Sequence, residues 1–313
     1  MNLYGNGAVS TLYIAFKANA DINSDFLENL FSSNKWHNEV YKIAAEGARN
    51  HGLLNISPDD FFNIKITISK DSQEQSFISK FLRVFDNLLA LYERKLKLLS
   101  RVKKYFLDNL FAKKEYPNLR FKGFTDAWKQ RKLSSILIER KDLSTESKEF
   151  PLSSFIQEKG VVPKSQRYDR SFLVKDSSKK YKVTKFGDFI YSSNNLDTGS
   201  IGLNSYGNAV ISPVYSVFSS KNLNVLETNF VNLLFQQNFY KNKMLRFRQG
   251  VMYGQLKIKE DDFLKIRVNV PSQTEIKNIT NLFSKIESYA TLLENKKKQL
   301  VQIKSILLNT MFI

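Results

Sequence analysis

From Gln73 to Ala112 the chain reads QEQSFISKFLRVFDNLLALYERKLKLLSRVKKYFLDNLFA. Apolar residues stand at Phe81, Phe85, Leu88, Tyr92, Leu96, Leu99, Val102, Phe106 and Leu110, in steps of three and four. That spacing predicts one long helix with a single apolar stripe. At ~1.5 Å per residue it would run to roughly 60 Å, more than the core of a small domain encloses. Lys113 and Lys114 suit the negative end of the helix dipole, and Pro117 cannot continue the turn.

The pattern returns at the end of the chain, in Ile279, Leu282, Ile286, Ala290, Leu293, Leu300, Ile303, Leu307 and Met311. Two such helices are either buried separately or packed on each other as a two-stranded coiled coil or rod. A duplication favours the second reading. Tyr4-Gly5-Asn6 recurs as Tyr206-Gly207-Asn208, and the offset of 202 residues persists through Gly52/Gly254, Asp60/Asp262, Phe61/Phe263 and Ile64/Ile266. It then becomes 201, pairing Glu74 with Glu275, Glu93 with Glu294 and Phe111 with Phe312. A period this long marks a tandem copy of a domain plus a helix, not a solenoid repeat.

The expected fold is α+β: mixed α/β domains joined by two long antiparallel coiled-coil helices, with pseudo-two-fold internal duplication. The expected divisions are an incomplete first domain at 1–71, a helix at 72–115, a complete domain at 116–270 and a helix at 271–313. The second copy opens near Tyr116 while Met1 aligns with Leu203, so the first copy reads as N-terminally truncated. Within the copies, Ala8 to Phe16, Phe61 to Ile68, Phe189 to Tyr191, Val214 to Phe218 and Phe263 to Val270 read as strands. Ser24 to Ala45 and Leu226 to Leu245 read as helices, and Ser192 to Gly207 as a polar loop.

The chain carries a formal charge of +18 and has no cysteine. The second fact excludes disulfides, thiolate metal sites and cysteine nucleophiles, and fits a cytoplasmic setting. Apolar runs fall short of the ~20 residues needed to cross a bilayer, and no signal-peptide pattern opens the chain. Residues 116–270 hold 26 Lys/Arg against 14 Asp/Glu, a net +12, which favours a polyanionic partner such as double-stranded DNA.

Catalytic patterns are absent: no phosphate-binding loop, no dinucleotide fingerprint, no zinc-protease helix and no nucleophile elbow. The carboxylate pairs Asp59-Asp60 and Asp261-Asp262 either hold a metal or cap a turn. The candidate DNA-binding residues are Lys164, Gln166, Arg167, Tyr168, Arg170, Lys179, Lys180 and Lys182, with Asn194 and Asn195 in the polar loop. Lys243, Arg246 and Arg248 form a second group after the predicted helix. Arginine forks suit guanine edges, amides suit adenine, and lysines suit phosphates.

The run Tyr116-Pro117-Asn118-Leu119-Arg120-Phe121-Lys122-Gly123-Phe124-Thr125-Asp126-Ala127-Trp128 resembles the opening of a target-recognition domain in specificity subunits of type I restriction–modification enzymes. Gly187-Asp188-Phe189-Ile190-Tyr191, Ile201 through Gly207, Pro213-Val214-Tyr215 and the helix Phe85 to Lys95 are similar to the same family. The resemblance implies a non-catalytic subunit with two recognition domains, each reading half of a split DNA sequence, spaced by two helices. It also implies two methyltransferase subunits and motor/endonuclease subunits as partners. S-adenosylmethionine, ATP and Mg would sit on those partners, with no cofactor in this chain and no membrane. One complete domain implies half-site reading, or pairing of two truncated chains. The alternatives are a single-chain Mg-dependent nuclease built on Asp261-Asp262, and a coiled-coil protein that binds nucleic acid without sequence preference.

Overall fold

The computed structural model describes residues 7–10, 13–43, 45–46, 54–156, 159–164, 179–192, 200–250 and 256–312. They form two compact units, one of residues 1–99 with 288–313 and one of residues 100–287. No helix among the described residues is long and apolar enough to cross a membrane.

Helices Ser72–Asn109 and Gln273–Met311 are the two long elements. On the first, one row of side chains turned away from solvent is Gln75, Ile78, Leu82, Phe85, Leu89, Tyr92, Leu96, Leu99, Lys103 and Phe106, continued by Leu110 just past the helix end. On the second it is Ile276, Ile279, Phe283, Ile286, Ala290, Leu293, Lys297, Leu300, Lys304, Leu307 and Met311. Both sets step by three and four without interruption, a seven-residue repeat, and the offset of 201 carries each position of one onto the other. In the first unit Glu93 meets Lys297 at 2.8 Å and Asp86 meets Lys304 at 2.5 Å, so the partners run in opposite directions. In the second unit Lys103 meets Glu287 at 3.0 Å.

This seam corrects part of the stripe expected from apolar letters alone. Phe85, Tyr92, Leu99, Phe106, Ile286, Leu293 and Leu300 lie in it, and Leu88 and Leu282 are half-buried on its flank. Phe81 and Ile303 face solvent, as does Val102. The cause is local: Val102 and Ile303 each neighbour a seam lysine, and Phe81 neighbours the fully buried Leu82. A lysine can hold a seam position when its stem packs on apolar neighbours and its charge reaches a carboxylate. The first helix also ends at Asn109, ahead of Lys113 and Pro117, because Leu110, Phe111 and Ala112 leave it to enter the core of the second unit.

In the first unit, helices Ser24–Phe31 and Asn34–Ile43 replace the single helix expected from Ser24 to Ala45. Asn23 caps the first through Asp25 and Phe26 amides, and Ser33 Oγ accepts the Trp36 amide to start the second. Strands Ala45–Glu46 and Leu54–Asn55 pair antiparallel, and helix Pro58–Asn63 follows behind the Ser57 cap. Phe61 therefore belongs to a helix, and only the residues after it are extended. Residues 8–10 and 13–16 form no strand. Phe26, Leu30, Ile78, Leu82, Leu308 and Phe312 make this unit's core.

The second unit repeats that succession in helices Val225–Phe235 and Asn238–Leu245, strands Gln249–Gly250 and Leu256–Lys257, and helix Glu260–Leu264. Matching ring pairs align the copies: Phe26–Phe312 corresponds to Phe230–Phe111, Phe31–Trp36 to Phe235–Tyr240, and Phe16–Phe61 to Phe218–Phe263. Across the paired helices the offset is thus 204, a local shift that an ungapped reading misses.

Around these elements the second unit adds sheets. Strand Tyr215–Ser220 lies between Phe189–Ser192 and Leu137–Glu139, and Ile201–Leu203 extends the sheet beyond Phe189–Ser192, all antiparallel. The polar loop expected from Ser192 to Gly207 therefore contains a strand. A three-stranded sheet of Ala209–Ile211, Tyr181–Thr184 and Leu143–Ser144 and a hairpin of Ser153–Ile156 with Gly160–Pro163 complete this side. Gly160 has φ +72° and packs on the Leu203 carbonyl, where a Cβ would collide. Arg267–Val270 pairs with Lys129–Lys132. The first unit shows no such neighbours for residues 13–16 among its described residues, which explains why that stretch is not a strand there.

Candidate nucleic-acid interface

One buried polar cluster ties together the strands of the second unit that lead to the candidate loops. Arg140 donates to both oxygens of Asp188, at 2.7 and 3.0 Å, and the Lys185 amide donates to the same carboxylate at 2.7 Å. Thr184 Oγ1 donates to Asp188, and Asn204 Nδ2 donates to Thr184 Oγ1 and to the Gly207 carbonyl. Asn204 Oδ1 in turn accepts the amides of Tyr206 and Gly207. Asp188 is only 2% exposed, and the paired carboxylate raises the Arg140 pKa. The cluster clamps strand Tyr181–Thr184 to the turn at Gly187, whose φ of +83° lets the chain reverse beside Val225.

Two stretches join strands Tyr181–Thr184 and Phe189–Ser192 at the ends away from the clamp. Residues 165–178 lie between Lys164 and Lys179, and residues 193–199 lie between Ser192 and Ser200, whose backbone closes with a 2.9 Å hydrogen bond. Gln166, Arg167, Tyr168, Arg170, Asn194 and Asn195 fall within these stretches, outside the described residues. Lys164 is half-buried, with its amide on the Leu152 carbonyl. Lys179 and Lys180 are exposed, and the Lys179 ammonium stands 5.8 Å from the Tyr181 ring centre. Lys182 is turned inward, 9% exposed, with Nζ 3.4 Å from Glu139. Its strand is paired on both sides and buried from Lys182 to Thr184, so Lys182 is part of the scaffold and not of a phosphate-facing surface.

The second predicted group is brought beside residues that counting along the sequence missed. Lys243 packs over the Phe239 and Tyr240 rings at 4.7 and 5.2 Å and donates to the Arg267 carbonyl. Burial first, and the Arg246 charge second, pull its pKa below the ordinary lysine value. Arg246 is exposed at the helix end and Arg248 is half-buried. Arg267 lies opposite Lys132 in the strand pair, and all four residues of Lys129-Gln130-Arg131-Lys132 are exposed. Strand pairing thus joins Lys129, Arg131, Lys132 and Arg267 into one basic edge beside Lys243. The only sequence signal was three cations in four positions after Trp128.

The carboxylate pairs are engaged in local structure. Asp262 accepts from Lys265 at 2.8 Å and from Gln249 at 3.0 Å, and Asp60 accepts from Ser57 at 2.7 Å. Among the described residues no group of three or more His, Cys, Asp or Glu is placed to hold a metal ion.

No family model matches the chain. It is 24% identical, over 97% of its own length and 73% of the relative's, to the MjaVIII type I restriction enzyme specificity subunit of Methanocaldococcus jannaschii. The chain is thus similar to a type I specificity subunit along nearly its whole length. The fold agrees: the type I restriction–modification S subunit from M. genitalium matches with a TM-score of 0.56 and 12% identity, over 94% of this chain and 73% of that one. A chain from a structure addressing assembly and conformational transition of the type I system matches at 0.53 and 12%, over 93% and 71%. Asp188 and Asn204, which the resemblance rested on, are scaffold residues that tie strands Tyr181–Thr184, Phe189–Ser192 and Ile201–Leu203 together.

Proposed function

We propose that this chain is the non-catalytic DNA-sequence-recognition subunit of a type I restriction–modification complex. The likeness to a specificity subunit along 97% of the chain carries the reading. The second unit would read one half-site. Loops 165–178 and 193–199, joined to the ends of strands Tyr181–Thr184 and Phe189–Ser192 opposite the Asp188 cluster, supply Gln166, Arg167, Tyr168, Arg170, Asn194 and Asn195 for base edges. Lys164, Lys179, Lys180, Lys243, Arg246, Arg248 and the basic edge at Lys129–Lys132 supply phosphate contacts. Methyltransferase subunits carrying S-adenosylmethionine would dock on the long helices, with ATP and Mg on motor/endonuclease subunits.

The test is co-expression with a type I methyltransferase subunit, followed by mapping of methylated adenines across a DNA library. Methylation confined to one motif supports the reading, and a half-site appearing in inverted pairs would show two chains acting together. A complex that methylates without sequence preference, or no complex, overturns it. Arg167→Ala with Arg170→Ala should broaden the methylated motif at one or two positions.

A further inference from the structure

In the second unit the segment after the first long helix lies in a groove. Tyr240 Oη and Asn269 Nδ2 both donate to the Ala112 carbonyl, at 2.9 and 3.2 Å, and Asn269 also donates to the Lys114 carbonyl. Arg120 forks onto Glu275 with two 2.8 Å hydrogen bonds, both partners largely buried. Trp128 packs on Phe111 and Phe230, and Lys129–Lys132 then completes the edge of Arg267–Val270.

The first unit holds the counterpart of every wall of this groove. Trp36 stands for Tyr240, Phe312 for Phe111, residues 65–68 for 267–270, and Glu74 for Glu275. Yet Ile66 is 39% exposed where Val268 is fully buried, and Glu74 is exposed with only Ser69 donating to its side chain. Among the described residues, the backbone of residues 65–68 pairs with no strand. A cavity of about 510 Å³ opens there between Leu30, Trp36, Lys65–Thr67 and Phe312.

We infer that this groove is a docking site for an extended segment of the 112–132 type, one that carries an arginine and a tryptophan at the matching positions. The incoming strand pairs with residues 65–68, its arginine forks onto Glu74, and its tryptophan covers the apolar floor beside Phe312. The inference rests on the two copies within this chain and not on DNA reading, so each can fail without the other.

The probe is a fluorescein-labelled synthetic peptide of residues 112–132, titrated with the full chain and followed by anisotropy. Saturable binding at micromolar concentration is expected, absent for a scrambled peptide. Glu74→Gln in the chain should weaken it at least tenfold, the worth of a charge-assisted fork. Arg120→Gln in the peptide should give the same loss while leaving the protein untouched. No saturable binding, or binding indifferent to both changes, overturns the site.

Discussion

Four donors converge on the Asp188 carboxylate and its neighbours, and two of them come from Arg140, 48 residues earlier in the chain. Such a buried pair is expensive to break because the partner left behind keeps its charge without compensation. Asp188→Ala should therefore destabilise the second unit by about 3–5 kcal/mol, read as a lower midpoint in urea unfolding. Asp188→Asn, which keeps an acceptor oxygen but no charge, should fall between the two. The residues Gly187 and Asp188 were legible in the sequence as a turn ahead of a strand. Their partner was not, since no spacing rule links Asp188 to Arg140. The same blindness put Lys182 among the DNA contacts, because its burial depends on Glu139 across the fold.

Among the elements, the long helices were the most legible part of the chain, since a repeat of three and four residues is a local property. Their seam was less so, because Lys103, Lys297 and Lys304 occupy positions that an apolar template rejects. The offset of 201 carries Lys103 onto Lys304 and Asp86 onto Glu287, so one ion pair is made in each unit with donor and acceptor helix exchanged. These pairs are partly exposed, and each should contribute only ~0.2–1 kcal/mol. Their sign matters more. Lys304→Glu, which sets two carboxylates together, should cost roughly 1 kcal/mol, and adding Asp86→Lys should recover most of it in a double-mutant cycle. The helix pairs Ser24–Phe31 with Asn34–Ile43 and Val225–Phe235 with Asn238–Leu245 were each legible as helix but not as two. Their breaks are set by Ser33 and by Gln236-Gln237, which carry no glycine or proline signal.

For the whole molecule the governing quantity is a charge of +18. If six to ten phosphates are neutralised, affinity for duplex DNA should fall by about 10³–10⁵ between 50 and 200 mM salt. Replacing Lys129, Arg131 and Lys132 by Ala should flatten the salt slope by about three and weaken all duplexes alike, as measured by fluorescence titration on matched and scrambled targets. A change in sequence preference would instead make that edge a reader of bases. The net +12 of residues 116–270 was countable in advance, but the basic edge appeared only when strand pairing placed Arg267 opposite Lys132. Which bases the loops read depends on geometry that composition does not encode.

The two matched seams also restrict how this protein can change over generations. An insertion of one, two or five codons in either helix would rotate every later seam residue out of register and set lysines against leucines. Gains or losses in sevens, made in both helices together, leave each lysine facing its carboxylate, whereas steps of three or four must be absorbed by local over- or unwinding. Drift in the length of these helices is thus stepped: whole heptads leave the seam unchanged, and every other length must distort it.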